Sequence, residues 1–249
     1  MNRNNKKIVI SLLMILIAIC TVELNNNGLS HFLREKTDSS KNDVYKNIAI
    51  ASINNRKHKI LIVNREHSLD KDFIPKELIK PNIKFLKGSN ENVKLLDKPA
   101  ALALEKMFSY AQDDGVYLLG VSGYRDYYYQ KLLYDNEVKS VGKKEADRAV
   151  AKPGESGHQT GLAIDILSEE YTTLDEGFQY TKSYKWIKEN SYKYGFIIRY
   201  PKGKENITGY EYEPWHIRYV GEDLAKEIFD KNITLEEYVE EKKSCYEAN

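Results

Sequence analysis

An aspartate stands in the middle of an otherwise apolar run, Leu162-Ala-Ile-Asp165-Ile-Leu167, and a run of that length and composition folds as a buried strand. An unpartnered carboxylate in such a strand is costly to bury, so any fold open to this chain must bring a cation to Asp165, either a metal or a basic side chain. Alternate side chains of a strand share a face. Leu162, Ile164 and Ile166 therefore point toward the core, and Ala163 and Asp165 point the other way.

A second run, Trp215 to Val220, obeys the same rule, with Trp215, Ile217 and Tyr219 on one face and His216 and Arg218 on the other. If the two strands are neighbours, Asp165 and His216 converge on one side of the sheet and small Ala163 leaves space above it. His158 lies seven residues before Asp165, a spacing that on an unbroken strand puts it on the opposite face. Pro153, Gly154, Gly157 and Gly161 frame a loop holding Ser156 and His158, and Gly161 lets the chain fold His158 back over Asp165. Two histidines and a carboxylate, with water in the fourth position, form a catalytic zinc arrangement. The only cysteines are Cys20 and Cys245, which excludes a thiolate site, and the remaining histidines lie in a linker (His31) or flank an early strand (His58, His67).

Glu213 precedes His216 by three residues with Pro214 between, so it is expected in a turn leading into the strand, close enough to take a proton from a metal-held water. Arg125 leaves a strand over Val116–Val121 at Ser122-Gly-Tyr-Arg125, and its guanidinium suits a peptide with a free C-terminal carboxylate. Taken singly, each residue has a plainer reading. A histidine beside Trp is more often a core residue, Glu213 a surface residue, and Arg125 a partner of Asp126 or a helix end. It is their joint occurrence that favours a site.

The rest of the chain frames that cluster. Residues 1–7 carry Arg3, Lys6 and Lys7, residues 8–22 form an apolar run, residues 23–47 read as a polar linker, and residues 48–249 as one folded domain. Basic charge ahead of the apolar run keeps the amino end in the cytoplasm, so the expected location is the cell membrane with the domain outside; secretion after signal cleavage is the alternative. Strands are expected over Lys59–Asn64, Val116–Val121, Leu162–Leu167, Phe196–Tyr200 and Trp215–Val220. Helices are expected over Asp97–Asp113, Asp126–Lys139 and Tyr180–Tyr194 and from Glu222 and Leu235, with a loop over Lys202–Gly209. The fold class is α+β, a single compact domain with a small, mainly antiparallel sheet and flanking helices. Lys+Arg (38) and Asp+Glu (37) nearly cancel, which leaves no electrostatic basis for nucleic-acid binding, and a monomer is expected. The run Tyr127-Tyr-Tyr129 suits either a ligand platform or a helix with one tyrosine buried.

Ser122-Gly-Tyr-Arg125, Ser156-Gly-His-Gln-Thr-Gly-Leu-Ala-Ile-Asp165 and Glu213-Pro-Trp-His-Ile-Arg218, in this order, resemble the motifs of VanY-type D-alanyl-D-alanine carboxypeptidases. The likeness runs from about Ile60 to Phe229. It implies a zinc metallocarboxypeptidase with one Zn2+ per chain held by His158, Asp165 and His216. Glu213 is then the general base and later proton donor, and Arg125 binds substrate and stabilises the oxyanion. Gln130 and Ser156 match positions that line the substrate groove. Family members often carry Glu before the motif's histidine, where this chain has Gly157. The implied reaction removes the terminal D-Ala from peptidoglycan stem peptides. L,D-carboxypeptidase action on tetrapeptide stems and a non-catalytic wall-binding role are the alternatives, and the intact Glu213 speaks against the last.

Overall fold

The protein is described over residues 60–247 by a computed structural model. The basic start (1–7), the apolar run (8–22), the linker (23–47) and the first residues of the expected domain (48–59) lie outside the described residues. Among the described residues no helix is long and apolar enough to cross a membrane.

Two short strands, β1 (Leu78–Ile79) and β2 (Leu96–Asp97), pair antiparallel and lead into helix α1 (Lys98–Asp113), whose first turn holds Pro99, where a missing N–H is harmless. Helix α1 buries Ala100, Ala101, Leu104, Met107, Phe108 and Ala111, a stripe at helical spacing, and leaves Leu102 at 45% exposure. The main sheet comprises β3 (Leu118–Ser122), β4 (Ala163–Ser168), β5 (Phe196–Tyr200) and β6 (Glu213–Tyr219), in the order β3-β4-β6-β5 with every pair antiparallel. Helices α2 (Tyr127–Val141) and α3 (Lys143–Ala149) connect β3 toward β4, and α4 (Lys182–Asn190) precedes β5. A single turn, α5 (Glu205–Thr208), precedes β6, and α6 (Glu222–Lys231) and α7 (Leu235–Glu247) close the chain. This is the α+β domain expected from the element order.

Each sheet face has its own apolar layer. Ile164, Ile166, Ile217 and Phe196 pack with α1 and with Trp186 and Ile187 of α4. On the other face Ile197 meets Ile60, Ile62 and the inner sides of α6 and α7. Strand β4 lies between these layers and all six of its residues are buried, which is why it reads as a near-continuous apolar run. Asp165 is the exception inside it, at 6% exposure.

Several local expectations need correction. Ile60–Asn64 forms no strand: Ile62 and Val63 are buried, and the Leu61 carbonyl accepts from the Arg218 guanidinium at 2.8 Å instead of joining a ladder. The expected helix over Tyr180–Tyr194 is α4 between two 3-10 turns, Glu176–Tyr180 and Ser191–Tyr194, because Thr181 caps α4 through the Tyr184 amide and the turn ends at Gly195. The Lys202–Gly209 loop contains α5. Glu213 lies in β6 itself and not in a turn before it.

Candidate metal centre

Strand register sets the first pair of side chains. Ala163, Ile164 and Asp165 of β4 lie opposite Arg218, Ile217 and His216 of β6, so Asp165 and His216 are direct cross-strand partners on one face. His158 reaches them from the 3-10 turn Gly157–Thr160. The Ser156 hydroxyl accepts from the His158 amide at 3.3 Å, the Thr160 hydroxyl donates to the Gly157 carbonyl, and Gly161 ends the turn in the left-handed region at φ 67°. A Cβ at Gly161 would lie 2.9 Å from the Asp97 amide nitrogen. The Gly161→Ala protein is therefore expected to lose about 1–3 kcal/mol of stability, measured by urea denaturation, because both φ and the close backbone contact resist a side chain.

Two bulges aim the flanking residues. Between β3 and β4 the register slips between Gly120 and Ser122, next to the segment that delivers Arg125. Between β5 and β6 it slips between the Ile198–Ile217 and Tyr200–Glu213 pairs, which accommodates Pro214 within an inner strand and turns Glu213 toward His216 despite the odd spacing.

The resulting distances are short. His158 Nε2 lies 3.4 Å and His216 Nδ1 3.1 Å from the same Asp165 oxygen, Oδ1. The Glu213 carboxylate is 3.3 Å from His216 Nδ1, and Arg125 Nη2 is 3.9 Å from the other Asp165 oxygen, Oδ2. The Tyr200 ring packs on the His216 imidazole with centroids 4.9 Å apart. His158 Nδ1 donates to the Gly123 carbonyl at 2.7 Å, which fixes the tautomer and leaves Nε2 as a bare lone pair. Gly123 must be glycine, since a Cβ there would lie 2.5 Å from the Leu95 carbonyl oxygen.

These residues fit a metal. His158 Nε2 and Asp165 Oδ1 are buried without a hydrogen-bond partner. One ligand atom each from His158, Asp165 and His216 fits within a 4.8 Å mutual spread, and among the described residues no other His, Cys, Asp or Glu group is so arranged. Nitrogen and oxygen ligands of tetrahedral zinc lie about 3.3 Å from one another. The two observed contacts to Asp165 Oδ1 bracket that separation. Electrostatics agree. Burial, then the Arg125 cation, pushes His158 down to about 4, so its ring is neutral, the state that can coordinate a metal. Burial works to raise Asp165, yet the facing His158 and His216 hold it well below the usual carboxylate range. Burial also works to lower His216, but Asp165 and Glu213 outweigh it and raise its pKa. The cluster thus draws positive charge to the point where the two rings meet Asp165.

Of the other expected residues, Glu213 and Ser156 contact members of this cluster. Glu213 keeps 19% side-chain exposure, and burial, only partly offset by His216, raises its pKa. Gln130, on α2, is buried; its amide nitrogen donates to the Ala151 carbonyl at 2.8 Å and its Oε1 has no partner. The Ser156 hydroxyl is engaged with the His158 amide. Asp126 caps α2 through the Tyr129 amide and makes no ion pair with Arg125. The Tyr200 ring and the Gly123 carbonyl were not anticipated from sequence, although the Ser-x-His spacing of a capped turn was a usable signal for the role of Ser156.

The family model of D-alanyl-D-alanine carboxypeptidases, VanY, matches residues 93–222. The putative carboxypeptidase YodJ of Bacillus subtilis is 47% identical over 203 residues, which cover 81% of this chain and 74% of that protein. The solved structure of the L,D-carboxypeptidase LdcB, a study of peptidoglycan recognition, is 50% identical with a TM-score of 0.68 and covers 72% of this chain and 84% of that one. A mutant of the D,D-pentapeptidase VanY from a VanB-type vancomycin resistance cassette, solved with Zn(II), is 36% identical with a TM-score of 0.58 and covers 72% of this chain and 97% of that one.

Proposed function

The chain belongs to the VanY family of carboxypeptidases, and we propose that it is a zinc-dependent D,D-carboxypeptidase that removes the terminal D-Ala from peptidoglycan stem peptides. The observation that carries this reading is the convergence of His158, Asp165 and His216, two of their ligand atoms orphaned and buried, beside the half-buried carboxylate of Glu213.

Zinc, when held by His158, Asp165 and His216, supplies a Lewis acid that polarises the scissile carbonyl and acidifies water. Glu213 takes the proton of the attacking water, a task suited to a carboxylate whose pKa is raised by burial, and returns it to the amine of the departing D-Ala. Arg125 carries the positive charge nearest the site. Its guanidinium reaches Asp165 Oδ2 at only 3.9 Å, which leaves donors for the substrate's C-terminal carboxylate and for charge developing on the carbonyl oxygen. The family resemblance assigns Gln130 and Ser156 to the substrate groove; Gln130 Oε1 is without a partner, and Ser156 caps the turn of His158.

A second reading is favoured by the 50% identity with LdcB: cleavage of the L,D bond of tetrapeptide stems. Release of D-Ala from pentapeptide and tetrapeptide stems, measured side by side on zinc-loaded protein, separates the two. The D,D reading expects faster release from the pentapeptide, abolished by a chelator and restored by zinc. A preference for the tetrapeptide would install the L,D reading, and no release from either would leave a wall-binding protein.

We also propose that the domain works outside the membrane, with the apolar run 8–22 as its anchor; the basic cluster ahead of that run supports this orientation. Protease added to intact cells should then remove the domain, and protection of the domain would place it inside.

A further inference from the structure

The two imidazoles of the metal centre are held in different ways. His158 donates Nδ1–H to the Gly123 carbonyl at 2.7 Å, so a hydrogen bond sets both its tautomer and the angle of its ring. His216 turns Nδ1 toward Asp165 at 3.1 Å and Glu213 at 3.3 Å, and its other nitrogen, Nε2, is buried with no hydrogen-bond partner among the described residues. A ligand imidazole ordinarily gives that second N–H to a carboxylate, a carbonyl or a water. No described protein group takes it from His216, so within the protein the angle of this ring is left to packing.

Among the described residues two rings meet His216. His158 stands edge to face with it, centroids 4.7 Å apart and planes at 84°, and Tyr200 lies against it with centroids 4.9 Å apart. His158 is itself one of the cluster, so Tyr200 is the ring that comes from outside. The slip between β5 and β6 delivers it: Tyr200 and Glu213 are cross-strand partners past the bulge, and both reach His216. Tyr200 is buried and is gripped in turn. The Tyr210 ring stands 5.0 Å from it, and the Arg199 guanidinium lies 4.9 Å over its face, where a cation meets the negative side of the ring. Glu236 on α7 holds that guanidinium with both carboxylate oxygens. A chain of contacts therefore runs from α7 through Arg199 and Tyr200 to His216.

We propose that Tyr200 is a positioning residue of the metal centre: its ring, clamped by Tyr210 and Arg199, takes the place of a hydrogen bond in holding the His216 imidazole at the angle that metal binding needs. The inference rests on the reading of His158, Asp165 and His216 as zinc ligands. A ligand held at its working angle before the metal arrives loses less freedom on binding, so a His216 ring released from Tyr200 binds more weakly.

The test compares full-length proteins by competition for zinc with a chromophoric chelator, with thermal unfolding of the metal-free proteins alongside. Tyr200→Met fills much of the same space without a ring, and Tyr200→Phe keeps the ring. Tyr200→Met is expected to bind zinc about 10- to 100-fold more weakly than wild type, and Tyr200→Phe within about twofold of it. Phe196→Met removes another buried ring of β5, one that packs on Tyr219, and controls for general loosening: it should lower the unfolding temperature and leave zinc affinity unchanged. Wild-type zinc affinity in folded Tyr200→Met overturns the proposal, and so does an equal loss in Tyr200→Phe or in Phe196→Met. If Tyr200→Met does not fold, nitrogen-15 relaxation of the imidazoles in the metal-free wild type decides: the His216 ring should be as ordered as the hydrogen-bonded His158 ring, and a freely reorienting His216 ring overturns the proposal. Failure of the wild type to bind zinc would instead overturn the ligand set itself, so the two failures are told apart.

Discussion

Replacement of Glu213 by Gln is expected to lower kcat about 1,000-fold while the protein keeps its zinc. The size follows from what a positioned general base contributes, about 100- to 10,000-fold. The selectivity follows from the geometry. The ligand atoms of His158, Asp165 and His216 form a cluster that does not include Glu213, which lies 3.3 Å from His216 Nδ1 and keeps an exposed edge. Gln preserves the shape and the hydrogen-bonding reach of the side chain but cannot accept a proton from water. KM should change little, because Arg125 and the metal are untouched. Metal analysis and steady-state kinetics on the same preparation check both halves. If hydrolysis persisted near the wild-type rate, proton transfer would have to be assigned to another group.

Replacement of Asp165 by Asn is expected to give the opposite pattern, loss of the metal and of activity together. Asp165 Oδ1 faces both imidazoles and Oδ2 faces Arg125, so a single charge balances three groups. Changing a residue that merely orients a ligand weakens metal binding about 10- to 100-fold, and removal of a ligand's charge should exceed that, by at least about 100-fold in a chelator competition. The two variants would separate two tasks that abolish the same activity: Glu213→Gln should retain the metal and Asp165→Asn should lose it.

The centre of this arrangement was legible in the sequence because it rests on strand periodicity. β4 and β6 are inner strands of an antiparallel sheet, their side chains alternate strictly across the site, and Asp165 and His216 fall opposite each other as the alternation requires. The return of His158 was legible for a different reason: a glycine stands where the chain must enter the left-handed region, and Gly161 does so at φ 67°. Glu213 was misplaced because Pro214 reads as a strand breaker, whereas a bulge absorbs it inside β6. Ile60–Asn64 has the composition of a buried strand and is buried, but periodicity cannot show whether a carbonyl meets another strand or, as at Leu61, an arginine side chain. Helix α3 left little trace because Ala146 is its only buried residue, and β1 and β2 are two residues long, too short for any alternation to be read.

In the proposed centre, two imidazoles and one aspartate from distant segments hold a single zinc ion. Crystals of the zinc-loaded protein, with diffraction recorded on either side of the zinc absorption edge, test it directly. The expected result is one anomalous peak per chain, in bonding contact with His158, Asp165 and His216. A peak elsewhere, or none at that position in protein that contains stoichiometric zinc, would rule this centre out.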